Sequence, residues 1–249
     1  MSLFPVMRVL SALKDNKGMG ETALIVGTGS GLSASFARRL ARENIRVALA
    51  ARDTDKLSDL AREINAQCFT CDCSDPDEVG GLYEWFDKEF GIPSLVLFNA
   101  SSRVRGSVEG LDPIAVRDAI MTTCYGGFLV AQAAARRMLD AGEGTILLSG
   151  ASASVKGYPQ SSTFAMGKFG LRGLAQSMAR ELAPKNIHVA HFVIDGGISK
   201  GPNDRRLEGK VEDGLLDPDA IAESYYQVFR QHRSAWTWEL ALRPWVESF

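Results

Sequence analysis

The sequence predicts an α/β fold: a single doubly wound parallel sheet of about seven strands, with helices on both faces. Three observations carry this. Apolar runs of strand length alternate with longer helical patterns from Thr22 onward. The strand-like runs are almost continuously hydrophobic, which suits strands buried on both faces. No linker, composition break, internal repeat or low-complexity tract divides the 249 residues, so residues 21–249 read as one domain. Alternating β and α segments imply right-handed crossovers and hence a doubly wound sheet.

The elements follow in order. "TALIVG" is the first strand, and "LSASFARRLAREN" places Leu32, Phe36, Leu40 and Ala41 at helical spacing. "RVALAA" is the second strand. "TDKLSDLAREIN" is a helix with Thr54 as its expected N-cap. "QCFTC" is the third strand, and "DPDEVGGLYEWFDKEF" a helix whose early acidic residues suit the positive end of the helix dipole. "SLVLFNA" is the fourth strand, followed by a helical region from about Pro113 to Leu139. "GTILLSG" is the fifth, with a helix from about Ser161 to Ala183. "IHVAHFVI" is the sixth, "PDAIAESYYQVFRQH" a helix, and "AWTWELAL" the last strand. The polar stretch 199–217, with glycines at 201, 209 and 214, reads as a lid-like substrate segment or as a mobile connection. Residues 1–20 are set apart as an N-terminal extension: a short helix, an added remnant, or sequence upstream of a start at Met19.

Composition narrows the function classes. The chain is 45% hydrophobic and 23% charged, with a formal net charge of −2. That balance gives no electrostatic reason to expect nucleic acid or an anionic membrane as partner. The arginine pairs 38–39, 136–137 and 205–206 read as solvated surface. Cys68, Cys71, Cys73 and Cys124 read as free thiols. Strand alternation turns Cys68 and Cys71 to opposite faces, and too few ligands lie nearby for structural zinc, so no metal is expected. His188 and His191, three apart on a strand, likewise face apart. No run of about eighteen apolar residues suggests a spanning helix, and the first twenty residues make a poor secretory signal, so a cytoplasmic location is expected.

"ALIVGTGSGLSASFARRL" sets Gly27, Gly29 and Gly31 at the end of the first strand, where a helix opens with Ser30 and Leu32 alongside. Small residues there let a pyrophosphate approach the backbone, and the helix N-terminus offers unpaired N–H donors. In this position the cluster predicts a Rossmann-type dinucleotide site. The second strand ends in Ala50, Ala51 and Arg52, with no acid at its tip. An arginine there pairs with a 2′-phosphate, favouring NADP, while Asp53 one residue on keeps NAD open.

With these motifs the chain resembles the short-chain dehydrogenase/reductase family from about Thr22 to the last strand. The family pattern Gly-x-x-x-Gly-x-Gly reads here Gly27-Thr-Gly-Ser-Gly31-Leu-Ser33, with serine as the third glycine, as in enoyl reductases of the superfamily. Four further positions resemble family cofactor contacts. Asp72, with Cys73 beside it, matches the aspartate at the adenine. Asn99 and Ala100 in "FNAS" match the strand end beside the cofactor. Gly196 and Ile198 in "DGGI" match the segment whose backbone meets the nicotinamide carboxamide. Lys168 matches the lysine that holds the nicotinamide ribose.

The resemblance implies hydride transfer between nicotinamide and a carbonyl or alcohol carbon, with the protein supplying a proton and orientation. Three of the four family positions that do so are replaced. Anchored on Lys168, the tyrosine position is Phe164, the serine position Ala151 and the asparagine position Thr123. Ser149, Ser152 and Ser154 flank Ala151, and Tyr158 lies six residues before Phe164 as a speculative substitute acid. Enoyl reductases place tyrosine at the position of Ser161, so that pattern is absent too. Two readings therefore stand. One is an atypical NAD(P)-dependent oxidoreductase acting on a small or medium carbonyl, alcohol or enoyl substrate. The other is a non-catalytic NAD(P)-binding or sensing protein on the same fold. The resemblance also implies a homodimer or homotetramer through the helices before the fifth and sixth strands. The aromatic stretch "SAWTWELALRPWVESF" suits an interface, a pocket wall or burial within its own domain.

Overall fold

The computed structural model describes residues 20–201, 204–207 and 211–247. Apart from Gly20, the N-terminal extension lies outside the described residues, as does Gly209 of the 199–217 stretch. The strands are β1 (Thr22–Val26), β2 (Arg46–Ala51), β3 (Gln67–Thr70), β4 (Leu95–Phe98), β5 (Gly144–Ser149), β6 (Ile187–Ile194) and β7 (Glu239–Leu242). They form one sheet in the order β3-β2-β1-β4-β5-β6-β7. Every pairing is parallel. The order reverses between β1 and β4, and ligands of such sheets bind where the strand ends flank that reversal.

The helices are α1 (Leu32–Ala41), α2 (Ser58–Ile64), α3 (Pro76–Glu89), α4 (Pro113–Ile120), α5 (Gly126–Ala141), α6 (Ser162–Leu182) and α7 (Pro218–Phe229). Alternate strand residues serve opposite faces, as the pleat requires. Leu24, Val26, Val96, Phe98, Ile146 and Leu148 pack under α3, α5 and α6. Ala23, Ile25, Leu97, Leu147 and Phe192 pack under α1 and α7, where Phe36 meets Tyr225 edge-on at 5.6 Å. Helix starts follow side-chain chemistry. Asp75 caps α3 by accepting from Asp77 N at 2.8 Å and Glu78 N at 3.2 Å, and Asp217 caps α7 in the same way.

Two elements differ from expectation. Thr54 does not cap a helix. Residues Asp55–Leu57 form a 3-10 turn ahead of α2, and the Thr54 hydroxyl bonds to that of Thr70 at 3.1 Å instead. The long helix is interrupted by a π-helical turn at Met121–Tyr125. The continuous run Pro113–Ala141 is long and apolar enough, at mean hydropathy 1.2, to pass for a membrane span. One face of it lies on the sheet through Val130, Ala134 and Met138, all fully buried, while Ile114, Phe128 and Leu139 stand exposed.

All four cysteines are free thiols. Burial pushes Cys71 up to about 12 and Cys73 to about 11, so both stay protonated. Both strand histidines are buried. His188 stacks on Trp236 at 4.7 Å and bonds the Thr237 carbonyl, while His191 pairs with Glu239 at 3.1 Å. Among the described residues no group of three His, Cys, Asp or Glu could hold a metal ion.

Candidate functional site

The glycine turn is fixed by contacts from two strands. Gly27 has φ +82°, and a Cβ there would overlap the backbone of Ala100 at the end of β4. Only glycine meets both conditions. Gly29 and Gly31 are different: a Cβ on either meets nothing within 4 Å. Their bare backbone is not required by internal packing, and it leaves clear space over the start of α1. That helix begins at Gly31 with no side-chain cap and no acid in its first turn, leaving its N–H groups and positive end for an outside anion. Ser30 is exposed beside this space, and Leu32 turns inward. Ser33 explains its own presence at the third glycine position. It is buried, donates to the Gly27 carbonyl at 3.3 Å and accepts from Asn99 Nδ2 at 2.7 Å. Serine thus ties the glycine turn to the β4 end, a link glycine could not make.

From this turn a cleft of about 330 Å³ runs along the strand ends, lined by Gly27, Arg52, Asp72, Cys73, Asn99 and Ala100 among others. Arg52 is exposed at the β2 tip. Asp53 is tied to Lys56 at 2.6 Å, which holds its carboxyl below the usual range and neutralises it. With Lys56 committed to Asp53, the Arg52 guanidinium is, among the described residues, the cation left without an ion pair at the β2 tip. The Asp72 carboxylate accepts from Ser74 N at 2.9 Å and Ser74 Oγ at 2.7 Å, and these bonds hold it below its ordinary value. Cys73 packs against Gly126, where a Cβ would sit 2.9 Å from the Cys73 carbonyl oxygen. On the far side Gly196 has φ +156°, and a Cβ there would press on Pro244 at 2.6 Å. Ile198 bridges to Leu216, and its carbonyl accepts from Arg206 Nη2 at 2.6 Å. The two ends of the 199–217 stretch are drawn together where Ser199 N donates to Leu216 O at 2.8 Å.

The reactive half centres on Lys168. It is 3% exposed, and its Nζ donates to the Ser149 carbonyl at 2.7 Å. Burial pulls its pKa down to about 8. No described carboxylate pairs with it. Phe164, one helical turn earlier, presents its ring to two cations, with Lys168 Nζ 5.8 Å and the Arg103 guanidinium 5.0 Å from the ring centroid. Arg103 Nη2 also donates to Ser161 Oγ at 2.8 Å. Thr123 sits in the π-helical turn and holds the loop after β4, accepting from Ser102 N at 2.9 Å. Such turns in long helices commonly mark functional sites.

The serines around Ala151 are mostly committed to structure. Ser149 Oγ is bonded to Tyr225 OH at 3.0 Å, and Ser154 Oγ accepts from Ala151 N at 3.1 Å. Ser152 is the flanking hydroxyl left without a hydrogen bond among the described residues. Tyr158 is 42% exposed on the loop before α6, and no described hydrogen bond or ring contact joins it to Lys168 or Phe164. Behind the site, Arg172 grips Glu239 through two bonds of 2.6 and 2.8 Å, and Glu239 meets His191. Burial drives His191 down to about 4, so it is neutral. Sequence reading missed Arg103 and this buried cluster. The one signal for Arg103 was a pair of arginines in "SSRVRG" directly after the β4 strand end.

Comparison with known proteins bears on the fold and the family. A family model described as short chain dehydrogenase matches residues 21–205. Sorbitol-6-phosphate 2-dehydrogenase of Escherichia coli (strain K12) is 29% identical over 217 residues, covering 84% of this chain and 83% of that protein. Trans-4-hydroxycyclohexanecarboxylate dehydrogenase of Sinomonas cyclohexanicum is 31% identical over 180 residues, covering 68% of this chain and 69% of its own length. The crystal structure of a short-chain dehydrogenase from Rhodopseudomonas palustris superposes with TM-score 0.78 at 33% identity, over 90% of this chain and 99% of that one. A metagenomic short-chain oxidoreductase in complex with NADP superposes with TM-score 0.79 at 25% identity, over 91% and 98% of the two chains. By the family model and these relatives, the chain belongs to the short-chain dehydrogenases, a family of nicotinamide-dependent oxidoreductases.

Proposed function

We propose that the protein is an NADPH-dependent oxidoreductase that transfers hydride to or from a small or medium carbonyl, alcohol or enoyl substrate without the family tyrosine. One observation carries the reading. Lys168 is a buried cation with no carboxylate partner, held by a single carbonyl. A buried unpaired charge is costly, and its retention is explained by a ligand it serves. In this reading Lys168 bonds the nicotinamide ribose hydroxyls. Gly27, Gly29, Ser30, Gly31 and Leu32 cradle the pyrophosphate, and Asp72 and Cys73 border the adenine. Asn99 and Ala100 wall the groove, and the Gly196–Ile198 backbone meets the carboxamide. Arg52 takes the 2′-phosphate, because Asp53, the acid next to it, is already paired with Lys56.

Bound nicotinamide supplies the hydride; the chain must position the substrate and provide a proton. Ser152 is the hydroxyl free to hold the substrate oxygen. Phe164 cannot donate, and Tyr158 stands apart from Lys168, so water delivers the proton. In this reading the described ends of the 199–217 stretch border the substrate side of the domain 21–249. The relatives' names span a sugar phosphate and a cyclic hydroxy acid, so kinship alone leaves the substrate open. A second reading, a nucleotide-binding sensor, is favoured by the replacements at Phe164, Ala151 and Thr123. We also propose a homodimer or homotetramer, since Phe128 of α5 and Met166 and Phe169 of α6 stand exposed.

Fluorescence titration with NADPH and, separately, NADH tests this. NADPH should bind tightly and NADH weakly, and Arg52→Ala should remove the difference. Equal affinity for both would sink the Arg52 assignment, and binding of neither would sink the cofactor role. NADPH oxidation across a carbonyl panel then separates enzyme from sensor.

A further inference from the structure

The geometry points to an oxyanion subsite at Arg103, beside the tyrosine position, so that the substrate carries a carboxylate or phosphate group. This deepens the oxidoreductase reading above and rests on it. Arg103 is an exposed side chain, but an anchored one. Its loop is pinned at both ends, by Ser102 N on Thr123 Oγ1 at 2.9 Å and by Gly106 N on the Gln160 carbonyl at 3.3 Å. Its guanidinium is placed by Ser161 Oγ and the Phe164 ring. Neither contact is anionic. Among the described residues no carboxylate lies within ion-pair distance of Arg103 or of Arg105, whereas Arg38, Arg137, Arg172 and Arg230 each hold one. Desolvation by its neighbours and the charge of Arg105 both disfavour the charge on Arg103. A guanidinium has five N–H donors, and one is used here. The planar fork is left to bind an oxyanion with two parallel bonds.

The same arrangement accounts for Phe164. Between two cations, a tyrosine would lose its proton more readily, and the phenolate would repel an anionic substrate. Phenylalanine keeps the ring face that both cations use and carries no charge. The site thus gathers positive charge where the family places its acid.

The test uses NADPH-saturated protein and calorimetric titration with three probes of similar shape: phenylacetate, phenyl phosphate and the neutral 2-phenylacetamide. At least one anion should bind about 10-fold tighter than the amide, the scale of a charged hydrogen-bonded contact. Preference for phenylacetate identifies a carboxylic acid substrate, and preference for phenyl phosphate a phosphate ester. Arg103→Met should abolish the preference while leaving the NADPH Kd unchanged. Arg103→Lys, which keeps the charge but not the fork, should lose several-fold and serves where the Met variant does not fold. The inference is overturned if neither anion outbinds the amide, or if the preference survives in both Arg103 variants. Binding of NADPH with no anion preference removes this inference alone; failure of the wild type to bind NADPH removes the parent reading and this one with it.

Discussion

Phe164 and Lys168 face each other across one helical turn, and each makes a measurable prediction. Phe164→Tyr restores a hydroxyl between two cations, which would lower its pKa toward the working range of a general acid. NADPH-dependent reduction of neutral carbonyls should rise about 10²-fold or more. Reduction of anionic carbonyls should rise less, because the new hydroxyl crowds Arg103. Steady-state kcat/KM with matched neutral and anionic ketones checks both. Lys168 is protonated with difficulty in the folded state, where its pKa is about 8 against an ordinary 10.5. Below pH 8 the full cost of the buried charge is present. Between pH 8 and 10.5 the unfolded chain holds the proton and the folded chain does not, so stability rises with pH. Thermal melts of wild type and Lys168→Met across that window should converge as pH rises, with the variant the more stable at pH 7. The same variant should bind NADPH about 10-fold more weakly, since it loses charged hydrogen bonds to the ribose. A variant that is less stable at pH 7 would show that Lys168 is structural.

At the scale of elements, the β1–α1 turn separates two uses of glycine. Gly27→Ala forces a Cβ into the Ala100 backbone at positive φ, and should cost well over about 1 kcal/mol as well as cofactor binding. Gly29→Ala meets nothing in the chain. It should leave Tm unchanged and still weaken NADPH, by crowding the pyrophosphate. Differential scanning calorimetry beside nucleotide titration distinguishes them; loss of Tm in both would mean the turn is shaped by folding alone. The elements best read from sequence are those whose burial is uniform. β4 and β6 are buried along their whole length and show as unbroken apolar runs. The glycine turn was legible because its chemistry lies within one short segment. The π-helical turn was not, because it answers to a tertiary contact: a Cβ on Gly167 of α6 would sit 2.9 Å from the Thr123 side chain. Thr54 misled because its hydroxyl had a partner in the neighbouring strand, Thr70, which no local pattern reveals. Arg103 was invisible as a site residue for the same reason. Its anchor, Ser161, lies 58 residues away.

Across the whole molecule, α5 and α6 each leave apolar side chains outside, among them Phe128 and Leu139 of α5 and Met166 and Phe169 of α6. Phe128 stacks with Tyr125 at 6.1 Å and remains 38% exposed, and Phe169 is 43% exposed. Phe169→Glu places a charge on that face without touching the core, and sedimentation velocity should show a shift toward monomer. An unchanged sedimentation coefficient would move the interface elsewhere. The position of β7 has a consequence in time rather than space. It is translated after every other strand of the sheet, yet its Glu239 supplies the carboxylate for Arg172 and His191, which were made long before. The strands of the nucleotide half, β1 to β4, are complete once residue 98 has been translated. A growing chain can therefore assemble one half of its sheet while the other waits for a counter-charge. Ribosome-stalled chains ending short of residue 239 should resist protease around β1 to β4 and be cut in α6 and β6.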